Sequence, residues 1–415
     1  MTVFTRNFTL LWQGQLVSQL GNQAFLIGTA LFTLQATHSA TLVAAVMMAS
    51  IVPLVVLGPI GGTVADRHSR RTLIVLTDLA RALSVGGLAF YLYRDPVPST
   101  THVALIIGVA AFGGAMNALF SPAVQAFIPE LVLPERLAAA NALNQMSIQG
   151  SVLVGQAIGG MLFVAWGAPV LLLIDALSFA YGAIATWFIP PDNRPPPKAR
   201  GIRETARKYV TETRDGFAYV LRRSGMAAVL ATFAGVNFLF MPVVVLLPFY
   251  VGDRLAAGPE WYGFLLAGTG AGALAGSATA GILLGRVRSR TVLVRGCVAG
   301  IGLLVLLVSI ARWPAVALGA FVGIGALSSI INIGVLTTFQ LSLPSQVRGR
   351  VMALVVALST AVAPLGMAAG GVMGDAWRDS LGLLFAGCGA AMVILITLAS
   401  RVNGFSELLD PVGPP

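Results

Sequence analysis

Residues 61–71 read GGTVADRHSRR: one acid and one histidine among three arginines. This charged knot lies between LVAAVMMASIVPLVVLGPI (42–60) and TLIVLTDLARALSVGGLAFYLY (72–93). Each flanking run is long enough to cross a hydrocarbon core of roughly 30 Å. A short basic segment between two such runs reads as a turn at a membrane surface.

The rest of the chain extends this pattern. Of its 415 residues, 57% are hydrophobic and 10% charged, and the mean hydropathy is +0.85. A soluble globular chain carries about 25% charged residues. Backbone amides cannot go unpaired in lipid, so the recurring apolar runs must be helices. Twelve spans are predicted, at 8–34, 41–65, 72–93, 102–120, 137–165, 169–189, 227–251, 262–284, 291–311, 315–341, 351–376 and 381–400. The expected fold class is therefore an all-α polytopic membrane protein. The first run is too long for a signal core and carries Gln13, Gln15 and Gln19, so no cleavable leader is expected.

The net charge of +10 reads as topology, and no nucleic-acid partner is expected. With the amino terminus placed in the cytosol, twenty Lys and Arg residues fall on the cytosolic side. Only Arg94, Arg254, Arg312 and Arg378 fall opposite, with Arg81 and Arg295 inside spans. This asymmetry predicts both termini in the cytosol and phospholipid headgroups as contacts. Arginine outnumbers lysine 24 to 2, a bias of GC-rich bacterial genomes, so the expected location is a bacterial inner membrane. The two cysteines, Cys297 and Cys388, sit in apolar runs, so neither a disulfide framework nor a metal site is indicated.

The chain divides after Ile189. The stretch PPDNRPPPKARGIRETARKYVTETRDGFAYVLRRS (190–224) is first proline-rich, then charged. It predicts a six-span bundle over 1–190, a basic linker over 191–224 with an amphipathic helix at 203–223, and a second bundle over 225–415. The halves are related. GTVADRHSRRTLIV (62–75) aligns with GILLGRVRSRTVLV (281–294), identical at Gly62/Gly281, Arg67/Arg286, Arg71/Arg290, Thr72/Thr291 and Val75/Val294. LPERL (133–137) and LPSQV (343–347) each lead into the fifth span of their half, where GQAIGG (155–160) matches GMAAGG (366–371). Duplicated halves of this kind are a transporter architecture with the substrate site between the repeats.

Gly62-x-Val64-Ala65-Asp66-Arg67-x-Ser69-Arg70-Arg71 resembles the signature loop of the major facilitator superfamily, which runs Gly-x-Leu-Ala-Asp-Arg-x-Gly-Arg-Arg/Lys. Ser69 replaces the usual glycine and Val64 the usual leucine. Span count, duplication and basic linker extend the resemblance over the whole chain. IDALSFA in the sixth span, and SPAVQAFIPELVLPERLAAANAL (121–143) before the fifth, are similar to bacterial macrolide and siderophore exporters. In the family the acid of the loop contacts the eleventh span when the cytosolic side is closed. The resemblance therefore implies a gating role for Asp66 and Arg67, with Arg71 and Glu130 completing a charge cluster. Anchoring of a tight loop at the headgroups would also account for these residues. In the second copy Gly285 replaces the acid, so the two loops are not equivalent.

Gly150, Gly155, Gly159 and Gly160 suit close helix packing. They also resemble an exporter motif of the fifth span, except that Gln156 stands where proline is expected. Gln15, Gln19 and Asn22 share one face of the first span. Asn141, Gln145, Gln149 and Gln156 share one face of the fifth, and Asn117, Asn237 and Asn332 add amides elsewhere. These residues either line a substrate cavity or bond helix to helix. An amide-dotted apolar cavity suits an amphiphilic solute better than a sugar or phosphorylated anion.

Asp175, Asp78 and Arg81 are charges within spans and so candidates for proton coupling; a structural hydrogen bond is the alternative for Asp175. Asp78 and Arg81 are spaced to pair, and Arg295 has no evident local partner. No nucleophile–base pair, metal-ligand spacing or Walker sequence is present, so neither enzyme activity nor a cofactor is expected. The expectation is a monomeric, proton-driven efflux transporter for drugs or siderophores. A lipid flippase or importer on the same fold and a non-transporting sensor or scaffold are the alternatives.

Overall fold

The computed structural model describes residues 4–95, 97–190, 224–287, 289–343 and 345–410, with scattered positions between 211 and 222. The linker helix expected at 203–223 falls largely outside these residues.

Long helices dominate. In the first half they are α1 (Arg6–Thr37), α2 (Ala40–Arg67), α3 (Arg70–Arg94) and α4 (Thr100–Leu131). A run from Leu137 to Trp187 then holds two helices meeting at Gly167, α5 (137–166) and α6 (168–187). Gly167 has φ 72°, a left-handed conformation that an L side chain resists, and Pro169 follows at once. The two spans are thus joined without a loop. Serine or threonine caps α1 to α4: Thr5, Ser39, Ser69 and Ser99 each accept the amide hydrogen bond of the residue three positions on.

The second half holds α7 (Ser224–Phe249), α8 (Glu260–Arg286), α9 (Arg290–Ile310), α10 (Pro314–Ser342), α11 (Ser345–Ala376) and α12 (Leu381–Ala399), with a short α13 (Phe405–Leu409) at the end. Among the described residues, nine helices are long and apolar enough to cross a membrane, the Leu137–Trp187 run counting once. The amide-rich α1 and the arginine-bearing α11 are not among the nine.

Large apolar side chains also cover the outer faces of the helices, and some buried faces carry polar groups. On α3, Leu76, Leu79, Leu83 and Phe90 are exposed, while Thr77, Asp78 and Arg81 are buried. Without a hydrophobic drive between helices in lipid, close packing holds them, and small residues permit it. α2 crosses α4 where Gly61 lies on the Ala118 carbonyl and Gly114 on that of Ser50. α8 crosses α10 the same way, at Gly272, Gly276 and Gly325.

The contacts divide the chain into two compact units, residues 1–207 with 259–267, and residues 208–258 with 268–415. In unit 1, α1 lies along α5 and α6, α2 along α4, and α3 against α4 and α6. The apolar core beneath the 68–69 turn comprises Phe8, Ala65, Ile74, Phe127, Ile128 and Ile189, among others. The first turns of α8 belong to unit 1 because Gly263 backs onto Gly160, where a Cβ on Gly160 would lie 2.9 Å from the Glu260 carbonyl. In unit 2, α7 pairs with α11 and α9 with α12.

Candidate functional site

The charged turn is built by α2 ending at Arg67 and α3 starting at Arg70. Asp66 is exposed and Arg67 half-buried. Within the expected charge cluster it is Arg70 that pairs with Glu130, and Arg70 also donates to the Ala126 carbonyl at 2.9 Å. Arg71 donates to the Trp187 carbonyl and stacks 4.7 Å over its ring. Successive helical residues point about 100° apart, so one faces α4 and the other the end of α6.

The second copy repeats this plan with other chemistry. Arg290 donates to Thr338 of α10 at 3.2 Å, and Arg295 finds a partner in the Ser400 carbonyl at 2.7 Å. An acid arrives from the chain end. Asp410, just past α13, accepts hydrogen bonds from Ser289 (2.5 Å), the Arg290 amide (2.5 Å) and the Thr291 amide (3.2 Å). Burial pushes the Asp410 carboxyl up, but these bonds, with a further one from the Thr291 side chain, together outweigh it and hold the group below the usual carboxylate range.

Some of the amides are bonded within the bundle and some border a cavity, Asn237 doing both. Gln156 donates to Gln23 of α1 at 3.0 Å, so it joins helix to helix; Gln23 had not been singled out from the sequence. Asn237 donates to the Phe233 carbonyl of its own helix at 3.0 Å. Gln15 is buried, Gln19 and Gln149 are half-buried, and Gln145 is exposed. The glycines of α5 serve packing: a Cβ on Gly155 would meet Gln23 at 2.8 Å, and one on Gly159 would meet Ile27 at 3.3 Å.

Each unit holds a cavity bordered by some of these amides. In unit 1 a space of about 100 Å³ is bordered by Asn22, Ser50, Arg81, Asn117, Asp175 and Phe179. Asp78, Arg81 and Asp175 are 0%, 4% and 1% exposed. Arg81 lies 3.3 Å from Asp78, and its guanidinium is held between the rings of Phe120 (4.2 Å) and Phe179 (4.7 Å). In unit 2 a larger cavity of about 320 Å³ opens among α7, α9, α10 and α11. Its walls are apolar, with Phe233, Phe240, Ile301 and Phe339 prominent, and its polar groups include Thr232, Asn237, Ser328 and Asn332. Of the amides expected to line a cavity, Asn22 and Asn117 thus meet in one unit and Asn237 and Asn332 in the other.

The model of the transmembrane secretion effector family matches residues 3–411. The chain belongs to that family. It is 26% identical over 414 residues to the MFS-type transporter YfiS of Bacillus subtilis, covering 93% of this chain and 91% of that one. It is 22% identical over 405 residues to macrolide efflux protein A of Streptococcus pyogenes, covering 97% of each. Among solved structures, the nucleoside transporter NupG superposes with a TM-score of 0.73 at 12% identity, over 95% of this chain and 98% of that one. The chain is a multi-pass membrane transporter of small molecules with the major facilitator fold, not an enzyme.

Proposed function

We propose that this transporter is a secondary active exporter of hydrophobic or amphiphilic small molecules, drugs or siderophores among them, driven by the proton gradient. The observation that carries the reading is the unit 2 cavity, a phenylalanine-rich wall carrying Asn237 and Asn332. Such a surface gives an amphiphile dispersion contacts and one or two hydrogen bonds. Among the described residues that line it, there is no cluster of charge to grip a phosphate or sugar acid. Macrolide efflux, for which the streptococcal relative is named, agrees with it. Duplicated halves suit alternating access, with Asp66, Arg67, Arg71 and Glu130 biasing one state through contacts made only there. The excess of bases on one side of the predicted spans favours cytosolic termini in a bacterial inner membrane, with the chain acting as a monomer.

A lipid substrate is the second reading. A groove of about 580 Å³ bordered by α1, α5 and α6 is almost wholly apolar, lined by Val17, Leu20, Ile158, Leu162, Leu177 and Tyr181. Proteoliposomes test both readings, with rhodamine 6G, a hydroxamate siderophore and a fluorescent lysophospholipid offered separately. Dye or siderophore counterflow supports export of amphiphiles. Movement of the lysolipid alone supports the second reading, and no flux of any of the three overturns both.

A further inference from the structure

Three ionisable side chains are sealed inside unit 1, and their charges do not cancel. Asp78 and Arg81 come from α3 and Asp175 from α6. Among the described residues, the elements packed around them add no further ionisable group to the cluster. α1 contributes Ser18, Gly21 and Asn22, α4 contributes Asn117 and Phe120, and α6 adds Ser178, Phe179 and Gly182. Two carboxylates against one guanidinium leave one negative charge in apolar surroundings, an arrangement costly by several kcal/mol per ion. The hydrogen bonding has the same deficit. Both oxygens of Asp78, Oδ1 of Asp175 and one terminal nitrogen of Arg81 have no hydrogen-bond partner. One added positive charge balances the group.

We propose that Asp78, Arg81 and Asp175 form a binding site for one proton, loaded through the Asn22–Asn117 cavity. Asp175 and Arg81 both border that cavity, whose volume of about 100 Å³ holds several waters between Asn22, Ser50 and Asn117. On loading, a carboxylate oxygen takes a proton from a cavity hydronium, leaving water and a neutral carboxyl. Arg81 stays charged, clamped by its two rings, and pairs with the remaining carboxylate. Unloading is the reverse, so the stoichiometry is one proton per cycle. A metal ion fits less well: among the described residues no three His, Cys, Asp or Glu side chains gather to hold one.

The site presses directly on α1. A Cβ on Gly21 would lie 2.7 Å from Oδ1 of Asp175, and one on Gly182 would lie 3.1 Å from Oδ2 of Asp78 and 2.7 Å from the Ser18 hydroxyl. α1 also carries Gln15, Gln19 and Asn22. Adding or removing the charge changes what that helix rests on, and so ties the proton to the amide stripe.

The assignment rests on the proton-driven reading above, and its test keeps the two apart. Infrared difference spectra of the purified protein after a pH jump need no substrate. Wild type should show the carbonyl stretch of a protonated carboxyl, lost in Asp175→Asn and perturbed in Asp78→Asn. A band surviving in both variants and in the double variant overturns the site. A band displaced by sodium at constant pH overturns its assignment to a proton. Should Asp175→Asn fail to fold by gel filtration, Asp78→Asn and Asp175→Glu carry the test: the first should perturb the band and the second shift it. In proteoliposomes, accumulation of rhodamine 6G driven by a pH gradient should fall by about tenfold or more in Asp175→Asn, the scale of a coupling free energy. Its counterflow should lose its pH dependence. Loss of the band with pH-driven accumulation intact overturns the coupling role. Absence of both dye and siderophore flux in wild type overturns the export reading, and the infrared result still decides the site.

Discussion

Replacing Asp410 by alanine tests the tie between the chain end and α9. The first amides of a helix have no partner within it, and Asp410 accepts two of them together with the Ser289 hydroxyl. Losing a capping side chain costs about 0.5–2 kcal/mol, and hydrogen bonds to a charged group are worth about 1.5–3 kcal/mol each. Asp410 is half-buried and the Ser289 cap on Val292 survives, so a total of about 2 kcal/mol is expected. That raises the local opening equilibrium by about 30-fold. Amide hydrogen exchange in nanodiscs reads it directly. Peptides covering 289–296 and 403–410 should exchange about 30-fold faster in Asp410→Ala, while peptides of α3 do not change. Phe405 and Leu409, 0% and 1% exposed, come loose with the tether. The sign with pH follows from the lowered carboxyl. Its stabilisation is complete above the ordinary aspartate value of 3.8 and is lost as pH falls through the lower folded value. The effect of the substitution should therefore be constant from neutral to mildly acidic pH and vanish only in strong acid. Acceleration of less than about threefold at neutral pH would show that the apolar contacts, not the carboxylate, hold the segment.

Four further outcomes are expected. Asp66→Asn should slow efflux in inverted vesicles without lowering the amount of inserted protein, and unchanged rates would reject a gating role. Gly114→Ala drives a methyl toward the Ser50 backbone and should cost about 1–3 kcal/mol in thermal unfolding, whereas Gly87→Ala, with open space around it, should be neutral or mildly stabilising. Gln156→Leu strands Gln23 and should cost about 0.6–1.7 kcal/mol, with the Gln23→Leu/Gln156→Leu pair less than additive. Asn332→Leu should weaken binding of hydroxyl- or carbonyl-bearing substrates by about 2- to 12-fold in tryptophan-quenching titrations and leave a hydrocarbon cation nearly unaffected, the span of one hydrogen bond.

The helices and the duplicated turn were legible because lipid imposes a length and a composition on each span. Even the break between α5 and α6 was legible as the gap between the spans expected at 137–165 and 169–189. What a sequence cannot phase is rotation. Arg70 and Arg71 are adjacent, and only the starting residue of α3 decides which one reaches Glu130. The same limit applies to Gln156, whose stripe on α5 was visible but whose partner Gln23 lies 133 positions away. Asp410 was invisible for another reason. A five-residue helix after the last span carries no periodic signal, and the partners of the acid that follows it lie about 120 positions away.

The ion pair on α3 also bears on how the chain is made. Each charge left at the centre of an inserting helix costs about 2.5–3.5 kcal/mol. Asp78 and Arg81 are on the same helix, so they enter the bilayer together, each already beside its counter-charge. Asp175 emerges from the ribosome nearly a hundred residues later on a segment that holds no basic residue of its own. α6 can settle only against an α3 already in place. Ribosome-bound chains truncated before and after α6 should therefore differ in how firmly α3 is retained beside the translocon.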